Sequence, residues 1–263
     1  MSSFVSRILV AVVLLPVVLG LVYLGGWWVF GLAAVAALLS LHEFWVMARA
    51  HAPLALAGYI GTALALIGAE LSGLDWMVAG ALATLPLAFC LKVLSRARQA
   101  PTAAIATTVL GTVWIGLGLG FLVLLRRLPD DGRLALFTVL IAVWAGDTLA
   151  YFGGRLLGRH KMAPTTSPGK TWEGFVFGTA ATIFVAFVAL YKQHFLTIGQ
   201  SIVLGVVLAI AAPLGDLFES LLKRDAGMKD SGALLGGHGG MLDRLDAFLF
   251  AAPAAYFAIL ALT

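Results

Sequence analysis

Residues 201–225 read SIVLGVVLAIAAPLGDLFESLLKRD, and this stretch decides the fold class. Its first 15 residues contain no Asp, Glu, Lys or Arg, whereas its last 10 contain five of them. A helix that crosses a bilayer needs about 20 mainly apolar residues. The apolar run centred near Val207 therefore predicts a membrane-spanning helix that ends in a charged segment.

The composition of the whole chain extends this prediction. Of its 263 residues, 61% are apolar and only 11% are charged, and the mean hydropathy is +1.01. Soluble domains carry about 25% charged residues, so this chain cannot cover a water-facing globule with polar groups. The only cysteine, Cys90, excludes an intramolecular disulfide and a zinc knuckle. Redox chemistry is therefore not expected.

Apolar runs of spanning length recur along the sequence and predict an all-α polytopic integral membrane protein with about nine transmembrane helices. The first two runs are joined only by Gly25 and Gly26, so eight is the alternative count. The first run follows Arg7 but lacks a small-residue cleavage site, so we interpret it as a retained span. The runs centre near Leu15, Ala34, Leu66, Leu85, Leu117, Leu140, Phe184, Val207 and Tyr256.

The basic residues predict the orientation of these spans. With a cytoplasmic N-terminus and nine crossings, 13 of the 17 Lys and Arg residues fall inside and only four fall outside. An excess of basic residues in cytoplasmic loops is the usual rule for membrane proteins. The four outside residues are Arg126, Arg127, Arg133 and Lys192. Position in the bilayer explains these charges, so no nucleic-acid partner is expected.

Polar residues concentrate in two predicted cytoplasmic stretches, 147–173 and 216–246. The second holds 10 of the 30 charged residues, which are 17 basic and 13 acidic. We therefore divide the chain into N-terminal helices over 1–135, with packing and possible dimer contacts, and a C-terminal catalytic region over 136–263. Gly116 and Gly120 form a GxxxG spacing that permits close helix approach, either within the chain or in a dimer.

Acidic residues in the second stretch recur at helical spacing. If the helix continues past Asp216, then Asp216, Glu219 and Lys223 share one face with Ser220. Asp243 and Asp246 are three residues apart where the last span begins. Carboxylate oxygens suit Mg²⁺, which takes one or two protein carboxylates and completes its shell with water and substrate phosphate. The pattern predicts a magnesium site for a phosphate ester.

Glycines lie between these acidic residues, in the run Gly236-Gly-His-Gly-Gly240. Backbone amides of such a loop can approach phosphate oxygens closely. Lys223, Arg224, Lys229 and Arg244 supply cations for the same anion. The alternative is a solvated loop whose charges pair with one another.

The second stretch resembles the signature of the phosphatidate cytidylyltransferase family, also called CDP-diacylglycerol synthases. The matching residues are Ser220, Lys223-Arg224, Lys229-Asp230, His238-Gly239-Gly240 and Asp243-Arg244-Leu245-Asp246. Gly236 is a departure, because members of the family commonly have Pro there. The first stretch is similar too, at Ala145–Thr148, Tyr151–Arg155, Gly158–Lys161 and Ser167–Gly174. The resemblance covers roughly the C-terminal half.

The resemblance implies the transfer of the cytidylyl group of CTP to phosphatidate, which gives CDP-diacylglycerol and pyrophosphate. It also implies Mg²⁺, a second cation such as K⁺, a homodimer, and contact with membrane lipids at the cytoplasmic face of a bacterial inner membrane. The implied magnesium ligands are Asp216, Asp243 and Asp246, with Lys223 and His238 as further catalytic residues. The implied substrate-binding residues are Asp147, Ser167, Lys170, Thr171, Arg224, Lys229, Asp230, Gly239, Gly240 and Arg244.

Several alternatives stay open at this point. A phosphate-binding P-loop is excluded, because Pro164 occupies the position of its first glycine. We favour a nucleotide or metal role for Asp147 over an ion pair with Arg155, and a locally satisfied helix end for His42 and Glu43. The enzyme alternative is a CTP-dependent transferase or kinase for another lipid, such as an isoprenoid phosphate. The alternative of another class is a transporter, which typically shows repeated halves with midplane sites.

Overall fold

The computed structural model describes residues 3–95, 100–129, 131–232 and 239–263, with the backbone alone for residues 3–13. The described chain is almost entirely helical, as the apolar runs predict. A short 3₁₀ turn, Arg49–His51, follows α2, and a π-helical segment, Thr112–Leu117, joins α6 to α7. The helices are α1 Ser3–Leu24, α2 Trp27–Met47, α3 Ala55–Leu71, α4 Leu74–Leu82, α5 Thr84–Leu94, α6 Pro101–Gly111, α7 Gly118–Arg126, α8 Gly132–Leu157, α9 Trp172–Leu190, α10 Ile198–Asp225 and α11 Leu242–Leu262.

Among the described residues, seven helical stretches are long and apolar enough to cross a membrane. Two of the seven are composite, because α4 with α5 and α6 with α7 each form one stretch. The part of α1 with described side chains, Leu14–Leu24, and α3, Ala55–Leu71, are apolar as well. The prediction of an all-α polytopic membrane protein is therefore confirmed. The count of nine crossings and the cytoplasmic N-terminus stay predictions.

The exception to the helical pattern is a two-stranded antiparallel sheet between α8 and α9. Strand β1 is Lys161–Ala163 and strand β2 is Ser167–Thr171, with Lys161 opposite Thr171 and Ala163 opposite Ser167. The charge pattern predicts a polar interhelical stretch here but does not predict its strands.

The helices form two compact units. The first comprises residues 1–127 and 226–245, and the second comprises residues 128–225 and 246–263. The predicted division into 1–135 and 136–263 concerns functional regions and stays a prediction.

Within the first unit, small residues allow close helix packing. A Cβ at Gly116 would meet the side chain of Thr62 in α3, and one at Gly120 would meet Met77 in α4. The GxxxG spacing therefore serves packing within the chain, which is one of the two alternatives that the sequence leaves open.

Within the second unit, α8, α9 and α10 pack around a small cavity of about 30 Å³. Asp147 lines this cavity beside Thr179 and Thr182. Gly215 lets α10 approach α11, because a Cβ there would overlap the carbonyl oxygen of Asp246. This packing determines which polar side chains of the second unit meet.

Candidate active site

Lys170 and Asp216 form the centre of the candidate site in the second unit. The ammonium group of Lys170 lies 2.8 Å from Oδ2 of Asp216 and donates a hydrogen bond of 3.2 Å to the carbonyl oxygen of Pro213. The hydroxyl of Ser220 donates to Oδ1 of Asp216 at 3.3 Å. Both oxygens of the Asp216 carboxylate are thus oriented by neighbouring groups, from strand β2 and from its own helix.

Further carboxyl groups surround this ion pair. Asp147 of α8 lies within electrostatic range of both Asp216 and Lys170. Asp246 of α11 is buried, contacts the buried carboxyl group of Glu219 and lies within electrostatic range of Asp216. Neighbouring carboxylates repel one another unless a proton or a cation lies among them. The four carboxyl groups outnumber the two ammonium groups of Lys170 and Lys223, so the cluster can accept a further cation.

Lys223 lies on the same face of α10 as Asp216 and adds a second positive charge to that of Lys170. Its ammonium group lies 3.0 Å from Oε2 of Glu219, and both residues are buried. The four-residue spacing between Glu219 and Lys223 brings their side chains together on one helix face. The predicted sharing of a face by Asp216, Glu219, Ser220 and Lys223 is confirmed, because α10 continues as a helix to Asp225.

The hairpin of β1 and β2 places Lys170 next to Asp216. The guanidinium group of Arg224 donates to the carbonyl oxygen of Thr166 at 3.1 Å, which attaches the turn of the hairpin to the end of α10. Thr171 closes the hairpin and caps α9, since its hydroxyl accepts a hydrogen bond of 3.1 Å from the amide of Gly174. Ser167 is half-buried at the start of β2.

The structure gives Arg155 a partner other than Asp147. The guanidinium group of Arg155 donates to the hydroxyl of Tyr151 at 2.8 Å, one helical turn away. Within the described ranges, no ion pair joins Arg155 to Asp147. The structure thus gives no support to the alternative ion pair, and the nucleotide or metal role of Asp147 stays a prediction.

A separate set of contacts lies in the first unit, around Glu43 of α2. Its Oε1 accepts a hydrogen bond of 2.9 Å from the amide of Met241, and its Oε2 accepts one of 2.9 Å from the amide of Leu242. Oε2 also accepts a hydrogen bond of 3.0 Å from the hydroxyl of Ser231. The prediction that Glu43 is satisfied locally at its helix end is wrong, because these partners are 188 to 199 residues away.

The side chain of Asp243 binds two backbone amides of the same unit. Its carboxylate accepts hydrogen bonds from the amide of Ser231, at 3.0 Å to Oδ2, and from the amide of Gly240, at 2.8 Å. Gly239 adopts a φ of +79°, which favours glycine. A Cβ at Gly240 would overlap the side chains of Ser231 and Glu43. The second glycine of the His-Gly-Gly sequence thus permits close packing on protein as well as the predicted approach to phosphate.

The structure brings only part of the predicted site together within one unit. Asp147, Lys170, Asp216, Asp246 and Lys223 belong to the second unit, whereas Asp243 belongs to the first. His238 lies outside the described residues. Predicted site residues that are exposed are Asp147, Arg224, Lys229, Asp230 and Arg244. Sequence reasoning missed the role of Glu43, although a carboxylate within an apolar span is a signal of a functional or structural partner.

The donor set of the second unit agrees with the chemistry of a hard divalent cation. In the residues with described side chains, no three His, Cys, Asp or Glu form a ready-made metal cage. Mg²⁺ does not need such a cage, because it usually binds one or two carboxylates and keeps water or substrate phosphate in its other positions. The carboxylates of Asp216 and Asp246, with Asp147 nearby, fit this requirement.

Comparison with known proteins identifies the family of this chain. The model of the "Cytidylyltransferase family" matches residues 5–262. A phosphatidate cytidylyltransferase of Staphylococcus haemolyticus is 35% identical over 94% of this chain and 95% of that protein. One of Synechocystis sp. is 32% identical over 98% and 97%, respectively. One of Haemophilus influenzae is 42% identical over 48% of this chain, and that alignment spans only 45% of the relative.

Proposed function

The chain belongs to the cytidylyltransferase family, and we propose that it transfers the cytidylyl group of CTP to phosphatidate. The products are CDP-diacylglycerol and pyrophosphate, so the protein serves phospholipid biosynthesis as a membrane-bound nucleotidyltransferase. Relatives that match nearly the whole chain carry the name of this activity.

The observation that carries the proposal is the contact of Lys170 with Asp216 among further carboxylates. Lys170 lies in a segment that matches the family pattern, and Asp216 begins the second polar stretch. A lysine ammonium group binds phosphate as a point charge. The carboxylates bind the cation that accompanies a nucleoside triphosphate. A phosphate ester can therefore take the place of Asp216 as a partner of Lys170.

The reaction is a single displacement at phosphorus. An oxygen of the phosphatidate phosphate attacks the α-phosphorus of CTP and forms a new P–O bond. The bond from the α-phosphorus to the bridging oxygen of the β-phosphate breaks, and pyrophosphate leaves with that electron pair. Since a phosphate monoester dianion is already nucleophilic, neither a covalent enzyme intermediate nor a general base is required. Positioning and neutralisation of charge then provide most of the catalysis.

In this proposal Asp216 and Asp246 hold Mg²⁺, and Asp243 stays a predicted ligand on the basis of the family pattern. The cation, when bound, neutralises the developing negative charge on the phosphates of CTP. A second cation such as K⁺ belongs to the same proposal.

The other residues divide between the two substrates. We assign Asp147, Lys223, Arg224, Asp230 and the segment His238-Gly239-Gly240 to the nucleotide or its leaving pyrophosphate. Ser167, Lys170 and Thr171 are assigned to the phosphate of the lipid. Thr171 can fill this role only if its hydroxyl serves both α9 and the substrate, because it already accepts from Gly174. Lys229 and Arg244 supply further positive charge for the nucleotide.

The location and assembly of the enzyme complete the proposal. We place it in a bacterial inner membrane with the active site toward the cytoplasm, where CTP is available. The predicted excess of basic residues on that side supports this orientation. A homodimer in membrane lipids is proposed from the family.

The direct test uses purified protein in mixed micelles of detergent and lipid. Phosphatidate and labelled CTP are supplied with and without Mg²⁺, and labelled CDP-diacylglycerol is measured. The proposal expects label in this lipid only when Mg²⁺ is present. Label on an isoprenoid phosphate instead of phosphatidate, or no labelled lipid from folded protein, would contradict it.

A further inference from the structure

Glu43 connects the two ends of the segment that contains the His-Gly-Gly sequence. Ser231 precedes residues 232–240 and Met241 with Leu242 follow them, and all three donate hydrogen bonds to the same carboxylate. Glu43 is only 3% exposed. A buried carboxylate is costly unless hydrogen bonds satisfy it, so α2 provides a fixed point at which this segment begins and ends.

We propose that Glu43 is a positioning residue for cytidylyl transfer, which aligns Ser231 and residues 239–243 and with them the carboxylate of Asp243. This inference rests on the proposed function, because the segment contains the predicted nucleotide-binding residues. Glu43 and Asp243 share Ser231 as a partner: its hydroxyl binds Glu43, and its amide binds Asp243. A change at Glu43 is therefore transmitted directly to the residue that orients Asp243.

The number of donors around Glu43 explains why a carboxylate is required. Two of its three donors are backbone amides, which can only donate, and each binds a different carboxylate oxygen. A glutamine offers one acceptor oxygen and one amide nitrogen that donates. In either orientation, Glu43→Gln would therefore place an NH₂ group against a backbone N–H. The substitution keeps the shape of the side chain and removes this acceptor pattern together with the charge of the carboxylate.

Glycines on both sides of the segment confirm how closely it approaches Glu43. A Cβ at Gly232 or at Gly240 would overlap the carboxyl group of Glu43. Close approach of the backbone to a fixed group is a common reason for glycine at a position. The backbone at Gly232 and at Gly240 therefore lies directly against this carboxyl group.

The test compares Glu43→Gln with Glu70→Gln as a matched control. Glu70 of α3 is another buried carboxylate of the first unit, and Oε2 of its side chain has no hydrogen-bond partner among the described residues. We expect Glu43→Gln to lower kcat/KM for CTP by about 10-fold to 100-fold, the scale of a misplaced catalytic group. At a temperature well below unfolding, the KM for phosphatidate should stay close to that of the wild type. The melting temperature of Glu43→Gln in detergent should fall, because a buried backbone amide loses its acceptor, and Glu70→Gln should retain its activity.

Ser231→Ala keeps the inference testable if Glu43→Gln does not fold. This variant removes one of the three donors and leaves the backbone contact with Asp243, so a smaller loss in kcat/KM for CTP is expected. In the double variant the two losses should not add, since both changes break the same connection.

The outcomes separate this inference from the proposed function. An active wild type with an equally active Glu43→Gln variant would contradict the positioning role alone. Additive losses, or full activity of Ser231→Ala when Glu43→Gln is unfolded, would contradict it as well. A folded wild type that makes no CDP-diacylglycerol would contradict the proposed function.

Discussion

Lys170 combines two roles at the scale of a single residue. Its ammonium group neutralises Asp216 and also binds the carbonyl oxygen of Pro213, inside α10. The side chain is about one fifth exposed, at 21%, and that of Asp216 is 37% exposed. Substrate can therefore reach the pair, which agrees with a lysine that exchanges its carboxylate partner for a phosphate.

We predict that Lys170→Ala lowers kcat/KM for CDP-diacylglycerol synthesis by about 100-fold, the usual cost of removing one group that stabilises developing charge. The matched control is Lys192→Ala, which removes an exposed lysine outside the two polar stretches. Steady-state kinetics in mixed micelles measure both variants. Equal activity of the two would remove Lys170 from the catalytic machinery.

Asp243→Asn tests the predicted magnesium ligand. The variant should lose Mg²⁺-dependent turnover, because an amide is a weaker ligand for a hard cation than a carboxylate. It should still insert into the membrane. The carboxylate of Asp243 also accepts hydrogen bonds from the amides of Ser231 and Gly240. Asn has only one acceptor oxygen, so it can replace only part of these contacts. Near-normal turnover over a range of Mg²⁺ concentrations would contradict both the predicted metal-binding role of the carboxylate and the need for its contacts with the two amides.

At the scale of elements, the β-hairpin is the feature that sequence reasoning does not predict. Its strands have three and five residues, and β2 contains Pro168 and Gly169, which are uncommon in strands. The hairpin is held by contacts at its ends, where the amide of Trp172 donates to the carbonyl oxygen of His160 at 3.0 Å. The bond from Arg224 to Thr166 fixes its turn. These contacts are tertiary, so local propensity carries no signal for them.

We predict that the main role of Thr171 is to cap the N-terminus of α9. Thr171→Ala should destabilise the protein by about 1 kcal/mol, the typical cost of losing an N-cap side chain. Thr171→Ser keeps the hydroxyl group and should retain both stability and activity. Thermal unfolding in detergent and turnover are measured on the two variants together. Lost turnover with unchanged stability in Thr171→Ala would instead support the phosphate contact alone.

At the scale of the whole molecule, the prediction concerns orientation in the membrane. Single cysteines are introduced at Lys229 and at Gln193, two exposed positions, in a Cys90→Ala background. A membrane-impermeant maleimide is then applied to intact spheroplasts and to inverted vesicles. The cysteine at position 229 should react only in inverted vesicles, and that at position 193 only in spheroplasts. The reverse pattern would place the polar stretches outside the cell and contradict the proposed location.

Each level of the protein was predictable from sequence to a different extent. The helices follow from apolar runs, because a bilayer requires every backbone polar group to be satisfied within its own segment. The face shared by Asp216, Glu219 and Lys223 follows from the 3.6-residue period of α10. The contact of Lys170 with Asp216 could not be predicted in this way, because no periodicity relates a strand to a helix 46 residues later.

The helical membrane-protein class, the two polar stretches and the family pattern that predicts the chemistry are therefore readable from the sequence alone. The contacts of Lys170 with Asp216 and of Glu43 with Ser231, Met241 and Leu242 appear only in the folded protein. The difference lies in the range of the interactions. Helical order depends on hydrogen bonds between residues four apart, whereas the partners of Glu43 are up to 199 residues away and meet only when the helices pack.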